Sequence, residues 1–126
     1  MARDNLERGK SAEEFAAVFL KENGYRIISR NYKTKLGEID IIASDKDTYC
    51  FIEVKFRNSD KFGLPQDALS SFKQRQISKA ALVYLKENKL LEKKARFDVV
   101  SVTMQDDSPK ATLIKNAFEL YPAFSY

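Results

Sequence analysis

Gly37-Glu38-Ile39-Asp40-Ile41-Ile42-Ala43, followed by Phe51-Ile52-Glu53-Val54-Lys55, is the stretch on which the fold turns. Both runs are rich in β-branched and apolar residues, as strands are, yet each carries acidic residues where a core strand carries none. Side chains alternate between the two faces of a strand. Glu38, Asp40 and Ile42 therefore share one side of the first run, and Ile39, Ile41 and Ala43 share the other. With Asp45-Lys46-Asp47-Thr48 as a four-residue hairpin loop, the register sets Ala43 against Cys50, Ile41 against Ile52, Ile39 against Val54 and Asp40 against Glu53. One face is then apolar. The other sets two carboxylates side by side, which is destabilising in a sheet unless a cation lies between them, and places Glu38 opposite Lys55. The pattern predicts a hard divalent cation held by Asp40 and Glu53 on an exposed polar face, with Lys55 beside it. The competing reading makes Asp40 a protective edge-strand charge and Glu53 with Lys55 a surface pair.

Outward from the hairpin, Ala12, Phe15, Ala16, Phe19 and Leu20 recur at helical spacing and predict a helix from about Ser11 to Asn23. Ser11 with Glu14 has the capping-box pattern, and Gly24 supplies the left-handed residue after the helix. Tyr25 to Tyr32 is β-prone and leads through the basic turn Lys33-Thr34-Lys35-Leu36-Gly37 into the hairpin. Arg57 to Pro65 reads as a loop. Ile77, Ala80, Ala81, Tyr84 and Leu85 mark a second helix, entered near Ser70 or Ser71 and ending near Asn88. Phe97 to Met104 and Ala111 to Lys115 read as strands around a turn at Asp106-Asp107-Ser108-Pro109. The order αβββαββ predicts an α/β fold, a mixed sheet with helices packed on it, in one domain over residues 1–126.

The chain has no histidine and one cysteine, which excludes a standard zinc site, a histidine general base and a Ser-His-Asp triad. Cys50 falls on the apolar side of the hairpin and reads as a small buried hydrophobe. No apolar run is long enough to span a bilayer and the first residues lack the layout of a signal peptide, so the expectation is a soluble cytoplasmic protein. The net charge is +4. Between Lys21 and Lys35, Lys21, Arg26, Arg30, Lys33 and Lys35 face Glu22 alone, and further basic residues follow the hairpin at Lys55, Arg57, Lys61, Lys73, Arg75 and Lys79. A polyanion is the natural partner, because phosphate neutralisation supplies most sequence-independent affinity for nucleic acid. Taken singly, most of these charges also read as solvated surface.

Gly9 to Glu13 opening a helix, Gly37-Glu38-Ile39-Asp40, Glu53-Val54-Lys55, Gly63, Lys73-Gln74, Arg96-Phe97-Asp98-Val99-Val100 and Ala117-Phe118 together resemble the YraN-type family of small bacterial proteins. That family in turn resembles a branch of the PD-(D/E)xK nuclease superfamily, close in plan to archaeal Holliday-junction resolvases. The resemblance implies a restriction-endonuclease-like mixed β-sheet flanked by helices. It also implies a site in which a helix-borne glutamate, an aspartate and a Glu-x-Lys triplet hold magnesium and activate water. Matched by motif, these are Glu13, Asp40, and Glu53 with Lys55; Ile39 stands where the superfamily pattern has proline. The implied metal, Mg2+ or Mn2+, is held by Asp40 and Glu53, with Glu13 as a further ligand. Glu38 either assists the metal or pairs with Lys55. Gln74 is a further catalytic candidate, although Ser71 and Gln74 also fit a capping box. Asp98 reads as structural.

The implied activity is endonucleolytic hydrolysis of branched or irregular DNA, as in recombination or repair, with Arg30, Lys33, Lys35, Arg57 and Lys73 contacting the nucleic acid. The alternative is a non-catalytic nucleic-acid-binding adaptor on the same fold. A protein-interaction module with an acidic face is a third reading, which the basic stretch from Lys21 to Lys35 opposes. A twofold junction would be matched by a homodimer, for which Phe62, Leu64 and Leu91 are the apolar candidates.

Overall fold

A computed structural model describes residues 2–57 and 69–119. Two helices and five strands follow the expected order: α1 (Ala2–Glu22), β1 (Arg26–Lys33), β2 (Glu38–Asp45), β3 (Thr48–Arg57), α2 (Ser71–Glu87), β4 (Lys94–Gln105) and β5 (Ser108–Phe118). The strands form one sheet in the order β1-β2-β3-β4-β5. Neighbours run antiparallel except β3 and β4, which are parallel because a strand that returns through a crossover helix must re-enter the sheet in the same direction. This is the mixed sheet flanked by helices that the restriction-endonuclease-like reading requires. Of the expected loop, Asn58 to Pro65 lies outside the described residues, and with it Phe62 and Leu64; Leu91 is exposed.

The sheet is covered on both faces. On β3, Cys50 and Ile52 pack with Ala16 and Leu20 of α1, and the intervening Phe51 packs with Ile77 and Ala81 of α2. On β4, Val100 and Val102 join the α1 side while Phe97 and Val99 join the α2 side. A doubly covered strand reads as a near-continuous apolar run, which is what Tyr49 to Ile52 and Phe97 to Val102 are. Cys50 is fully buried, and burial pushes its thiol up to about 12, assisted by the nearby Asp98 carboxylate.

The local signals stand corrected in four places. Helix α1 begins at Ala2 rather than at Ser11, so Ser11 and Glu14 lie inside it and form no cap. Glu14 instead accepts from the Arg30 guanidinium at 2.9 Å. The hairpin between β2 and β3 keeps the expected register at Ala43↔Cys50 and Ile41↔Ile52, but Asp45 pairs with Thr48. The loop therefore shrinks to Lys46-Asp47, with Lys46 at φ 58. The second turn shrinks likewise: Gln105 pairs with Ser108, and Asp106 and Asp107 take φ of 50 and 62, the left-handed pair that matches the twist of two antiparallel strands. At α2 the cap is Ser70, whose side chain accepts the Lys73 N–H, and the Gln74 amide donates to the Leu69 carbonyl at 3.1 Å. The Ser71–Gln74 capping box is not formed.

Candidate active site

Asp40 is positioned by a reversal of face in β1 and β2. Arg30 pairs with Ile41 and reaches Glu14 on α1, whereas Tyr32 pairs with Ile39 and meets the Tyr84 ring of α2 edge-on at 5.4 Å. Strict alternation would put Ile39 with Ile41. Instead Ile39 joins the α2 core and Ile41 the α1 core, so the expectation that both sit on one buried side is corrected. Asn31 lies at the reversal with φ 54, a left-handed conformation that asparagine tolerates better than most residues. Across from it, Asp40 turns to β3, where its Oδ2 accepts the Val54 N–H at 2.9 Å.

That hydrogen bond brings the Asp40 carboxylate beside Glu53. The two do not form a regular cross-strand pair, since the ladder extends from Asp45↔Thr48 only to Ile41↔Ile52. They are nevertheless close enough for Asp40 to act on Glu53 by both charge and hydrogen bonding. Glu53 faces α2, is 6% exposed, and its Oε2 has no hydrogen-bond partner. The expected exposed polar face is thus a buried one, because α2 covers the side of the sheet that the hairpin alone leaves open. Burial, and then the Asp40 carboxylate, push the Glu53 carboxyl up to about 8, while Lys73 and Lys55 oppose the shift. The Lys73 ammonium, from the first turn of α2, stands 3.8 Å from Glu53 Oε2. Lys55, two residues along β3, is half-buried.

Glu13 reaches the same neighbourhood from α1. Its carboxyl is pushed upward by burial and by the charges of Asp40 and Glu38, against Arg30 and a hydrogen bond with Asn31. An open groove beside it is lined by Lys10, Glu13, Glu14, Arg30 and Asn31. Glu38 is exposed and pairs across the strands with Lys33 on β1; it does not pair with Lys55, because the β2–β3 ladder ends at Ile41↔Ile52, short of both residues. Asp40 of β2 therefore acts electrostatically on both Glu13 of α1 and Glu53 of β3. Among the described residues, no three His, Cys, Asp or Glu side chains gather tightly enough to hold a metal ion on their own.

Of the residues expected to meet a polyanion, Lys33 and Lys35 are exposed on the turn before β2, and Arg30 is tied to Glu14. Arg57 closes β3 opposite Thr103, and Lys73 is held at Glu53. Two features have no clear signature in the sequence. The Asn31 contact to Glu13 is marked by nothing more than an asparagine inside a β-prone run. The other is a network on the α1 side of the sheet: Asp98, fully buried, accepts from the Tyr25 hydroxyl at 3.0 Å, the Arg96 Nε at 3.0 Å and the Asn116 N–H at 2.9 Å. Arg96 continues to Asp45 at 2.8 Å. Asp98 is thereby spoken for by structure.

Residues 12–102, which include Glu13, Asp40, Glu53, Lys55 and Lys73, match the model of the Uncharacterised protein family UPF0102. The chain belongs to the UPF0102 family. Among UPF0102 relatives, the protein of Syntrophus aciditrophicus (strain SB) is 53% identical over 116 residues, covering 92% of this chain and 91% of that protein. That of Geobacter metallireducens is 47% identical over 120 residues, covering 95% and 98%. A solved structure, that of Pyrococcus furiosus SfsA in complex with Ca2+, is similar at 15% identity and a TM-score of 0.39, over 88% of this chain and 62% of that one. Among the described residues, no helix is long and apolar enough to cross a membrane.

Proposed function

We propose that this UPF0102 chain is a metal-dependent endonuclease of the PD-(D/E)xK type, acting on branched or irregular DNA. The observation that carries the reading is Glu53 Oε2, buried without a hydrogen bond beside a second carboxylate. An unsatisfied buried polar group costs about 1–3 kcal/mol, and a carboxylate neighbour adds repulsion. A hard divalent cation such as Mg2+ or Mn2+ relieves both at once, and the oxygen-only donors of Asp40 and Glu53 suit it. Glu13 is the additional ligand that α1 offers. When bound, such a cation supplies Lewis acidity toward the scissile phosphate and lowers the pKa of a water.

The chain's own side chains have separate roles. The Val54 N–H fixes the Asp40 carboxylate so that it meets Glu53 without rotamer search. Lys55 orients the attacking water or offsets charge developing on the phosphorane. Lys73, released from Glu53, is placed to meet a phosphate oxygen, and Lys33 and Lys35 supply further phosphate contacts. Gln74 holds the start of α2 through the Leu69 carbonyl, which makes it a positioning residue for Lys73.

The Lys73–Glu53 pair favours a second reading, a nucleic-acid-binding adaptor in which that ammonium permanently replaces the metal. Incubating wild-type and Asp40→Ala protein with linear, single-stranded and branched DNA, with and without Mg2+ or Mn2+, separates the two. Metal-dependent cleavage lost in Asp40→Ala supports the nuclease; salt-sensitive binding with no cleavage under any condition supports the adaptor.

A further inference from the structure

Phe72 stands out once α2 is in place. It is 66% exposed, and at 3.6 residues per turn it lies on the side of α2 opposite the buried stripe of Ile77, Ala81 and Leu85. An aromatic ring contributes to a core only where it is buried, so core packing does not explain this one. Its sequence neighbour Lys73 reaches Glu53 Oε2 at 3.8 Å, which puts the first turn of α2, from which the ring projects into solvent, beside the acidic pair. The turn before β2 carries a second exposed apolar side chain, Leu36, at 51%. Leu36 belongs to the turn whose Gly37 sits so close to α2 that an added Cβ would lie 2.5 Å from the Gln76 carbonyl oxygen, one helical turn beyond Phe72. Exposed Lys33 and Lys35 flank that turn.

We infer that Phe72 is a base-stacking platform: it receives an unpaired nucleobase of the strand whose phosphate lies at Asp40 and Glu53. A flat, solvated ring bordered by cations matches a nucleotide, which offers a π-face and a negative charge about one residue apart. It matches a continuous duplex poorly, because paired bases present edges in the grooves rather than faces. The inference rests on the nuclease or adaptor reading of the site and narrows its substrate to nucleic acid with an unstacked base at the point of attack. A second copy of this chain is the competing occupant.

The test uses the full chain in excess EDTA, so that binding is read without cleavage. Wild type, Phe72→Ala and Phe72→Tyr are titrated into a single-stranded oligonucleotide carrying 2-aminopurine and into a blunt duplex of the same sequence. Loss of one stacked base predicts single-strand affinity weakened about tenfold in Phe72→Ala, with the 2-aminopurine quenching abolished and the salt slope unchanged, since no charge is removed. Phe72→Tyr restores both signals, and duplex binding is the same in all three. Equal single-strand affinity and quenching in wild type and Phe72→Ala overturns the inference while leaving the site reading intact. A wild-type protein that sediments as a dimer and becomes a monomer in Phe72→Ala overturns it in favour of self-association. A wild-type protein that neither binds nor cuts nucleic acid of any form overturns the inference and the proposed function together.

Discussion

Glu53 concentrates the chemistry in one titration. Its carboxyl is raised from an ordinary 4.5 to about 8, so between those values the folded, metal-free chain holds a proton that the unfolded chain has released. By linkage this contribution to stability is fully present below the unfolded value and is lost as pH rises through the folded one. Melting temperature in EDTA should therefore fall from about pH 5 to about pH 9 and then level, and Glu53→Gln should flatten the curve and equal or exceed wild type at the alkaline end. A variant that melts well below wild type at alkaline pH would make the carboxylate a structural group. Metal competes for the same proton, so Mg2+ or Mn2+ affinity by calorimetry should climb with pH up to the same point. Asp98 is the contrast. Removing it takes the acceptor from the Tyr25 hydroxyl, the Arg96 Nε–H and the Asn116 N–H, although Asp45 still pairs with the guanidinium, so Asp98→Ala should cost about 3 kcal/mol in urea unfolding, while Asp40→Ala, which removes repulsion, should cost little. Both behaviours are partly legible in the chain. The charge in Phe97-Asp98-Val99 marks an interior carboxylate, and Asp40 with Glu53 marks a carboxylate pair. Arg96, two residues before Asp98 on the same strand, is a local partner; the others are not legible, because Tyr25, Asp45 and Lys73 join these sites only through the tertiary fold.

At the scale of elements, order and pairing are readable from the residues and ends are not. Ile41 and Ile52, or Ala43 and Cys50, can pair only in one register if the apolar sets are to stay buried, which is why shortening the loop to Lys46-Asp47 changes nothing upstream. Ser11 misleads as a helix start, and Ser71 as a cap although α2 does begin there, because a cap-like spacing is a local signal that further helix on its N-terminal side, or a better neighbour such as Ser70, overrides. Exposure of the acidic face is illegible because a hairpin taken alone cannot show that α2 will close over it. Gly37 gives this docking its test. A Cβ there would meet the Gln76 backbone oxygen at 2.5 Å and its carbonyl carbon at 3.0 Å, and backbone cannot rotate away as a side chain can. Gly37→Ala should thus push the Thr34–Gly37 turn off α2 and destabilise by about 1–3 kcal/mol, as overpacking does. Thermal unfolding that matches wild type would show that the turn does not rest on the helix. Ser70→Ala should cost about 1 kcal/mol through removal of the cap, and because Lys73 occupies that first turn, it should also weaken nucleic-acid binding.

Over the whole molecule, the +4 net charge is less informative than its placement around the acidic pair. Carboxylates repel phosphate, so a polyanion approaches Asp40 and Glu53 only if the surrounding cations outweigh them, and those cations release counterions when it does. The fold divides the candidates. Arg30 is held by Glu14 at 2.9 Å with its side chain one-third exposed, so part of its charge is already spent within the protein, whereas Lys33 and Lys35 are exposed at the turn that leads into β2. Replacing Lys33 and Lys35 with glutamine should reduce the slope of log affinity against log salt by about 0.9 for each duplex phosphate that a lysine neutralises. Adding Arg30→Gln should reduce it by less than either lysine does. Anisotropy titrations across a range of salt concentrations measure this directly. A slope that is unchanged in the double variant would remove the turn from the binding surface, and a full further step on replacing Arg30 would mean that the Glu14 pair opens when the polyanion arrives.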